Sequence, residues 1–115
     1  MKYATLLVSV LIIIAVLTPG GNLPDVRIGG YDKLIHMAMF LVWALAVLYD
    51  FGTKPFARRF LFLCIGVAFS ALTEILQIMI EGRSFDVNDV IADILGLIIG
   101  LLAGGPVVRW LSSVR

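Results

Sequence analysis

The run Phe60-Leu61-Phe62-Leu63-Cys64-Ile65-Gly66-Val67-Ala68-Phe69-Ser70-Ala71-Leu72-Thr73-Glu74-Ile75-Leu76-Gln77-Ile78-Met79-Ile80 decides the fold. It forms most of an apolar segment, Phe56–Ile80, that is long enough to cross the roughly 30 Å hydrocarbon core of a bilayer. Its polar residues are not scattered. Ser70, Thr73, Glu74 and Gln77 recur at three- and four-residue spacing, so in a helix they share one face. An ionisable group in a membrane helix costs roughly 2.5–3.5 kcal/mol even on lenient insertion scales, so this face calls for a partner or a use.

Working outward, three more apolar segments appear: about Tyr3–Leu17, Leu34–Tyr49 and Val90–Leu111. The chain is 61% hydrophobic with a mean hydropathy of +1.05. Soluble domains are about 45–50% apolar, so this is a membrane protein's composition. Pro19, Gly20, Gly21 and Pro24 close the first segment, Gly52 and Pro55 separate the second from the third, and Glu81-Gly82-Arg83-Ser84 joins the third to the fourth. Such connections make successive helices antiparallel. The expectation is an all-α polytopic protein, a four-transmembrane-helix bundle with short loops, forming a single domain over residues 1–115 with no repeat. Met1–Pro19 has a signal peptide's lysine and apolar run but lacks its small-residue cleavage pattern, and reads as a retained first helix. Cys64 is the sole cysteine, which excludes an internal disulfide and reads as a structural thiol. The net charge of +1 gives no reason to expect a nucleic-acid partner.

Lysine and arginine in the short loops set the orientation. Lys2, Lys54, Arg58, Arg59, Arg109 and Arg115 fall on one side, and Arg27, Lys33 and Arg83 on the other. This split predicts a multi-pass cell-membrane protein with both termini cytoplasmic. The outward side carries most of the acid: Asp25, Asp32, Glu81, Asp86 and Asp89.

Two other segments carry stripes that match the first. Asp32, Lys33, His36 and Phe40 lie close to one line at the start of the second helix. Asp86, Asp89 and Asp93, continued by Gly96 and Gly100, form a line in the fourth. At about 1.5 Å per residue, His36 lies about 6 Å, Glu74 about 9 Å and Asp93 about 10 Å inside the outer end of its helix. Matched depth and phase predict one outward-facing polar pocket between helices two, three and four, with His36, Glu74, Arg83, Asp89 and Asp93 in one cluster.

Plainer roles stand beside this one. Asp86 suits an N-cap, and Arg83 an interfacial anchor. Lys33 can snorkel to the headgroups, and Ser70 and Thr73 can bond their own helix backbone. His36 can serve as a packing donor. Glu74 and Asp93 lie too deep for capping or snorkelling, which leaves a structural hydrogen-bonded pair as their plain reading. Asp93 is not expected as an isolated anion: it is either protonated or paired with Arg83, Lys33, His36 or a bound cation, and the neutral form or one sharing a proton with Glu74 is favoured. Gly96, Gly100 and Gly104 form a small-residue face that permits close helix approach, read here as intrachain packing, with a homo-oligomer left open.

The ordered set Lys33-Leu34-Ile35-His36 with Phe40, Glu74-Ile75-Leu76-Gln77, Arg83-Ser84-Phe85-Asp86-Val87-Asn88-Asp89, and Asp89 to Asp93 and Gly96 resembles the VanZ-like family of small integral membrane proteins. The resemblance covers Asp32 to Gly104. The family pattern commonly reads K-x-x-H-x-x-x-F, E-x-x-Q, R-x-x-D-x-x-D and D-x-x-x-N-x-x-G, and this chain carries Asp93 where that last motif has Asn. The family is named for a protein associated with resistance to the glycopeptide teicoplanin. The resemblance implies a cell-envelope protein that modifies antibiotic access to the surface or to wall precursors.

Three functional readings follow. In the leading one, an amphiphilic ligand with an anionic head, such as a lipid-linked envelope substrate, enters the pocket. Lys33, Gln77, Arg83, Asp86, Asp89 and Asp93 bind it, and Glu74 and His36 are candidate acid and base. In the second, a non-enzymatic scaffold, the polar set locks the helices. In the third, His36, Glu74, Asp89 and Asp93 hold Mg²⁺, Mn²⁺ or Zn²⁺ in a hydrolase or transferase, although no close-spaced ligand motif is present. A transporter is disfavoured, because there is no inverted repeat and the polar groups lie near one face.

Overall fold

The computed structural model describes residues 3–17, 31–81 and 87–113, with the side chains of 17, 31–33, 80 and 81 outside the description. The described chain is helical: α1 (Ala4–Leu17), α2 (Tyr31–Phe51), α3 (Arg58–Glu81), α4 (Val87–Ala103) and α5 (Gly105–Ser113). Two stretches are long and apolar enough to cross a membrane, Leu34–Phe51 and Arg58–Met79. The α4–α5 pair adds a third if its bent halves count as one span. At 14 residues, α1 reaches only about 21 Å.

The expected fourth segment is broken. α5 turns 61° from α4. The cause lies in Gly104-Gly105-Pro106: proline supplies no N–H, so the helical ladder stops there. Arg59 serves a carbonyl left without its ladder partner at this break, its Nη1 donating to the Leu101 carbonyl at 2.8 Å.

Side-chain pairings give the helix directions. Ala4 and Thr5 meet Asp50, and Ser9 meets Trp43, so α1 and α2 are antiparallel. Ser70 meets Asp93 and Arg59 meets Leu101, so α3 and α4 are antiparallel. Gly96 lies on Met37 and Gly100 on Leu41 and Ala44, so α2 and α4 are parallel. The result is the up-and-down arrangement that the short connections predict. Segments 18–30 and 82–86 join helices at one end. Ala4, the α2–α3 connection and α5 lie at the other.

The α2–α4 seam explains the glycine face. A Cβ at Gly96 would collide with the Met37 carbonyl oxygen, and one at Gly100 would stand 2.6 Å from Ala44 Cβ and 2.9 Å from the Leu41 carbonyl. Backbone lies against backbone, and the glycine face packs within the chain. Phe40, Trp43 and Phe69 fill the centre, with ring centroids 5.7 and 6.1 Å apart in tilted pairs. Trp43 Nε1 donates to Ser9 Oγ at 3.0 Å, tying α1 to α2.

The outside is apolar, and the polar side chains of the helices lie inside beside the aromatic core. Leu6, Leu7, Phe60, Leu61, Ile75, Met79, Ile91 and Leu102 are exposed, whereas His36, Ser70, Thr73, Glu74, Gln77, Asp89 and Asp93 are buried. Water would reverse this distribution, and lipid favours it. Cys64 also faces outward, free, rather than packing as the expected structural thiol.

Candidate functional site

Three helices deliver three polar side chains to one point. Each lies on the inner face because its phase matches the apolar residues around it. His36 precedes Phe40 by one turn on α2, Ser70 lies one turn past Gly66 on α3, and Asp93 precedes Gly96 and Leu97 on the buried face of α4. His36 Nδ1 is 2.9 Å from Asp93 Oδ1, and Ser70 Oγ donates to Asp93 Oδ2 at 2.6 Å. Both distances lie in the range of charge-assisted hydrogen bonds. Where Asp93 is ionised it only accepts, and the Nδ1–H is then the donor of this pair.

The order of the three groups excludes one chemistry. In a nucleophilic triad the imidazole stands between the hydroxyl and the carboxylate. Here the carboxylate stands between the imidazole and the hydroxyl, so His36 does not activate Ser70. What remains is an oriented histidine, held by a carboxylate that a serine in turn fixes.

The surrounding stripes follow the expected phase. Glu74 and Asp89, each one turn nearer the same end of the bundle, are 1% and 0% exposed. Because α3 and α4 are antiparallel and register at Ser70–Asp93, Glu74 and Asp89 stand at a common level, about 6 Å beyond that contact. Thr73 Oγ1 donates to its own helix at the Ser70 carbonyl, 2.8 Å away, as expected. Ser70 does not, since its hydroxyl serves Asp93. Gln77 Nε2 donates to the Val16 carbonyl at 3.3 Å, in the last turn of α1, where helical carbonyls lack partners.

Asp93 is not isolated, and His36 is one of the partners expected for it. Among the described residues its partners are His36 and Ser70, not Glu74. A ring N–H and a hydroxyl offer a carboxylate two donors without the repulsion of a second carboxyl. The expected cluster is therefore assembled at His36 and Asp93, with Glu74 and Asp89 buried at the same end. Arg83 and Asp86 lie outside the described residues, as does the Lys33 side chain. Among the described residues no three of His, Cys, Asp and Glu are arranged to hold a metal ion, so the set His36, Glu74, Asp89 and Asp93 does not form a coordination sphere.

Two buried polar residues at the opposite end were not singled out by their sequence pattern. Asp50, 7% exposed, accepts from the Ala4 and Thr5 amides at 3.2 and 2.7 Å and caps α1 from another helix. Arg59, 9% exposed, holds the carbonyls of Leu101 and Thr53. Their partners are backbone groups freed at helix ends. For Arg59 the usable signal was Gly104-Gly105-Pro106, which marks where a carbonyl loses its amide.

No curated protein and no solved structure is detectably similar to the chain. Comparison with protein families matches residues 3–105 to the family described as VanZ/LLP1. The match takes in α1 through α4 and reaches beyond the stretch that carries the sequence resemblance. The chain belongs to the VanZ/LLP1 family.

Proposed function

We propose that this VanZ-like membrane protein is a four-span, single-domain cell-envelope protein whose polar cluster receives the anionic head of an amphiphilic envelope substrate from the outer face. The observation that supports it is the His36–Asp93–Ser70 chain, which joins three helices beside buried Glu74 and Asp89. It orients an imidazole, with further buried carboxyl groups one turn away on α3 and α4. Lys33 and Arg83 hold the head, Asp86, Asp89 and Asp93 orient these cations, and Gln77 lines the same stripe. His36 and Glu74 act as acid and base if the ligand is processed. Lowered glycopeptide susceptibility, including to teicoplanin, is the phenotype this reading connects to.

The same network favours a second reading, a scaffold without chemistry. Both Asp93 oxygens are satisfied within the protein, and Gln77 closes a helix end. Variants separate the two. Glu74→Gln and Arg83→Ala should abolish retention of a short-chain alkyl phosphate while shifting thermal unfolding in detergent only slightly. Under the scaffold reading, the same changes lower stability by a few kcal/mol, as for breaking a buried pair, in step with any loss of binding.

The proposed orientation has its own check. In a Cys64→Ser background, cysteines introduced near Gly21 and Gly82 should label from outside and one at Thr53 from inside. The reverse pattern would move the polar cluster to the cytoplasmic face.

A further inference from the structure

Among the described residues, the end of the bundle opposite the polar cluster carries cations without paired carboxylates. Arg58 Nη2 donates to the Lys54 carbonyl at 3.0 Å and to the Phe51 carbonyl. Arg59 donates to Leu101 and Thr53 carbonyls, and its Nε is buried without a partner. These acceptors are neutral. Among the described residues no carboxylate pairs with Arg58, Arg59 or Arg109. The sequence has no acid but Asp50 between Asp32 and Glu74 and none after Asp93, and Asp50 is engaged by the α1 amides. A guanidinium buried in an apolar protein without an anion is costly.

Two of these groups converge. A Cβ built on Gly105 would lie 3.3 Å from Arg59 Nη2 and 3.4 Å from Arg109 Nη1, so both forks reach the same bare stretch of backbone at the α4–α5 corner. Beside them is an open groove of about 460 Å³, lined by Tyr49, Thr53, Arg109, Ser112 and Ser113, with Val108 as apolar wall. Thr53 both lines this groove and accepts from Arg59.

We propose that this corner is a binding site for a phosphate oxyanion, supplied by the headgroup of an anionic phospholipid in the adjoining leaflet. Arg109 lines the groove with Thr53, Ser112 and Ser113 and faces the phosphate, and Arg59, held on the Leu101 and Thr53 carbonyls, adds its charge from behind Gly105. The geometry favours a lipid as the source. α5 turns away from the α4 axis, buries Val108 and exposes Trp110 and Leu111, as an interfacial helix does. An acyl chain can leave the groove along the exposed apolar faces. The site is independent of the His36 cluster; the proposed orientation enters only in naming the leaflet, the cytoplasmic one, where anionic lipids attract basic segments.

The test uses the full-length chain in detergent, with native mass spectrometry after addition of equimolar phosphatidylglycerol and phosphatidylcholine. Phosphatidylglycerol should be retained about tenfold better, the scale of one charge-assisted contact. Arg109→Gln should remove that preference without changing unfolding temperature, because Arg109 is exposed and holds no helix end. A parallel thermal-shift titration uses inorganic phosphate. If phosphate binds, Arg109→Gln abolishes this and the two lipids bind equally, the site stands with a soluble anion as its source. Equal lipid retention with no phosphate response overturns the proposal. So does a phosphatidylglycerol preference that survives Arg109→Gln, or one that is lost in His36→Ala instead.

Discussion

Gly96→Val should separate α2 from α4 and unfold the bundle. The substitution adds a branched side chain where a single Cβ already collides with the Met37 carbonyl and lies 3.1 Å from the Leu41 amide nitrogen. These are backbone atoms of a helix, and they cannot rotate away. Overpacking a core costs about 1–3 kcal/mol when side chains can yield, and more where they cannot. The expected loss is therefore above about 3 kcal/mol, read as thermal or denaturant unfolding in detergent. Gly66→Ala gives the internal contrast. A Cβ there would meet the Leu97 methyls at 2.6 and 2.8 Å and the Trp43 ring at 3.0 Å. These are side-chain atoms, so the loss should be about 1 kcal/mol. The seam also aligns the site, since His36 adjoins Met37 and Asp93 lies one turn from Gly96. Gly96→Val should accordingly lose ligand retention together with the fold. Were the glycine face a dimer contact instead, the variant would change oligomeric state and leave the unfolding of the monomer unaltered.

How far these contacts were legible depended on the kind of partner involved. Phase carried the inner face: the spacing of Ser70, Thr73, Glu74 and Gln77, and of Asp89, Asp93, Gly96 and Gly100, puts each set on one side of a helix whatever surrounds it. All of them are buried, and the glycine face packs within the chain. Pairing within the cluster was not legible. Ser70 had two outlets, its own backbone or a neighbour, and the choice turned on Asp93 arriving within 2.6 Å. Asp93 likewise had several buried partners at similar depth, and angstrom-scale register selected His36 over Glu74. Asp50 and Arg59 escaped attention because they serve main-chain groups of other helices. Loop charge counting uses Arg59 only to set sidedness, whereas in the fold it is turned inward onto the Leu101 carbonyl. The fourth segment is apolar enough on average to read as one span, and hydropathy alone does not register a missing amide at Pro106.

Asp93→Leu should cause the other large loss, and its size reports the charge state of His36. The change strands the His36 Nδ1–H and the Ser70 hydroxyl in a dry interior. Hydrogen bonds in membrane bundles average about 0.6 and reach about 1.7 kcal/mol by double-mutant cycles, so two lost bonds amount to about 1–3 kcal/mol. If His36 is an imidazolium, its counter-charge goes too, and the cost rises to about 3–5 kcal/mol. Asp93→Asn separates shape from charge. The amide oxygen can accept from His36 Nδ1–H, and the amide nitrogen can donate to Ser70 Oγ, whose hydroxyl accepts as readily as it donates. The fold should survive within about 1 kcal/mol. Binding of the anionic head should survive as well. Proton sharing with Glu74 would have made this variant silent in every assay, but with His36 as the partner it is not. An amide does not stabilise an imidazolium, and it can turn its nitrogen toward the ring and reverse the tautomer. Any turnover that uses His36 as acid or base should then fall at least tenfold, the mechanism by which an amide in place of a triad carboxylate disables a histidine base. A folded Asp93→Asn protein with full turnover would remove His36 from the acid–base role and leave the network a scaffold. Loss of bound metal in parallel with function would instead make Asp93 a cation ligand.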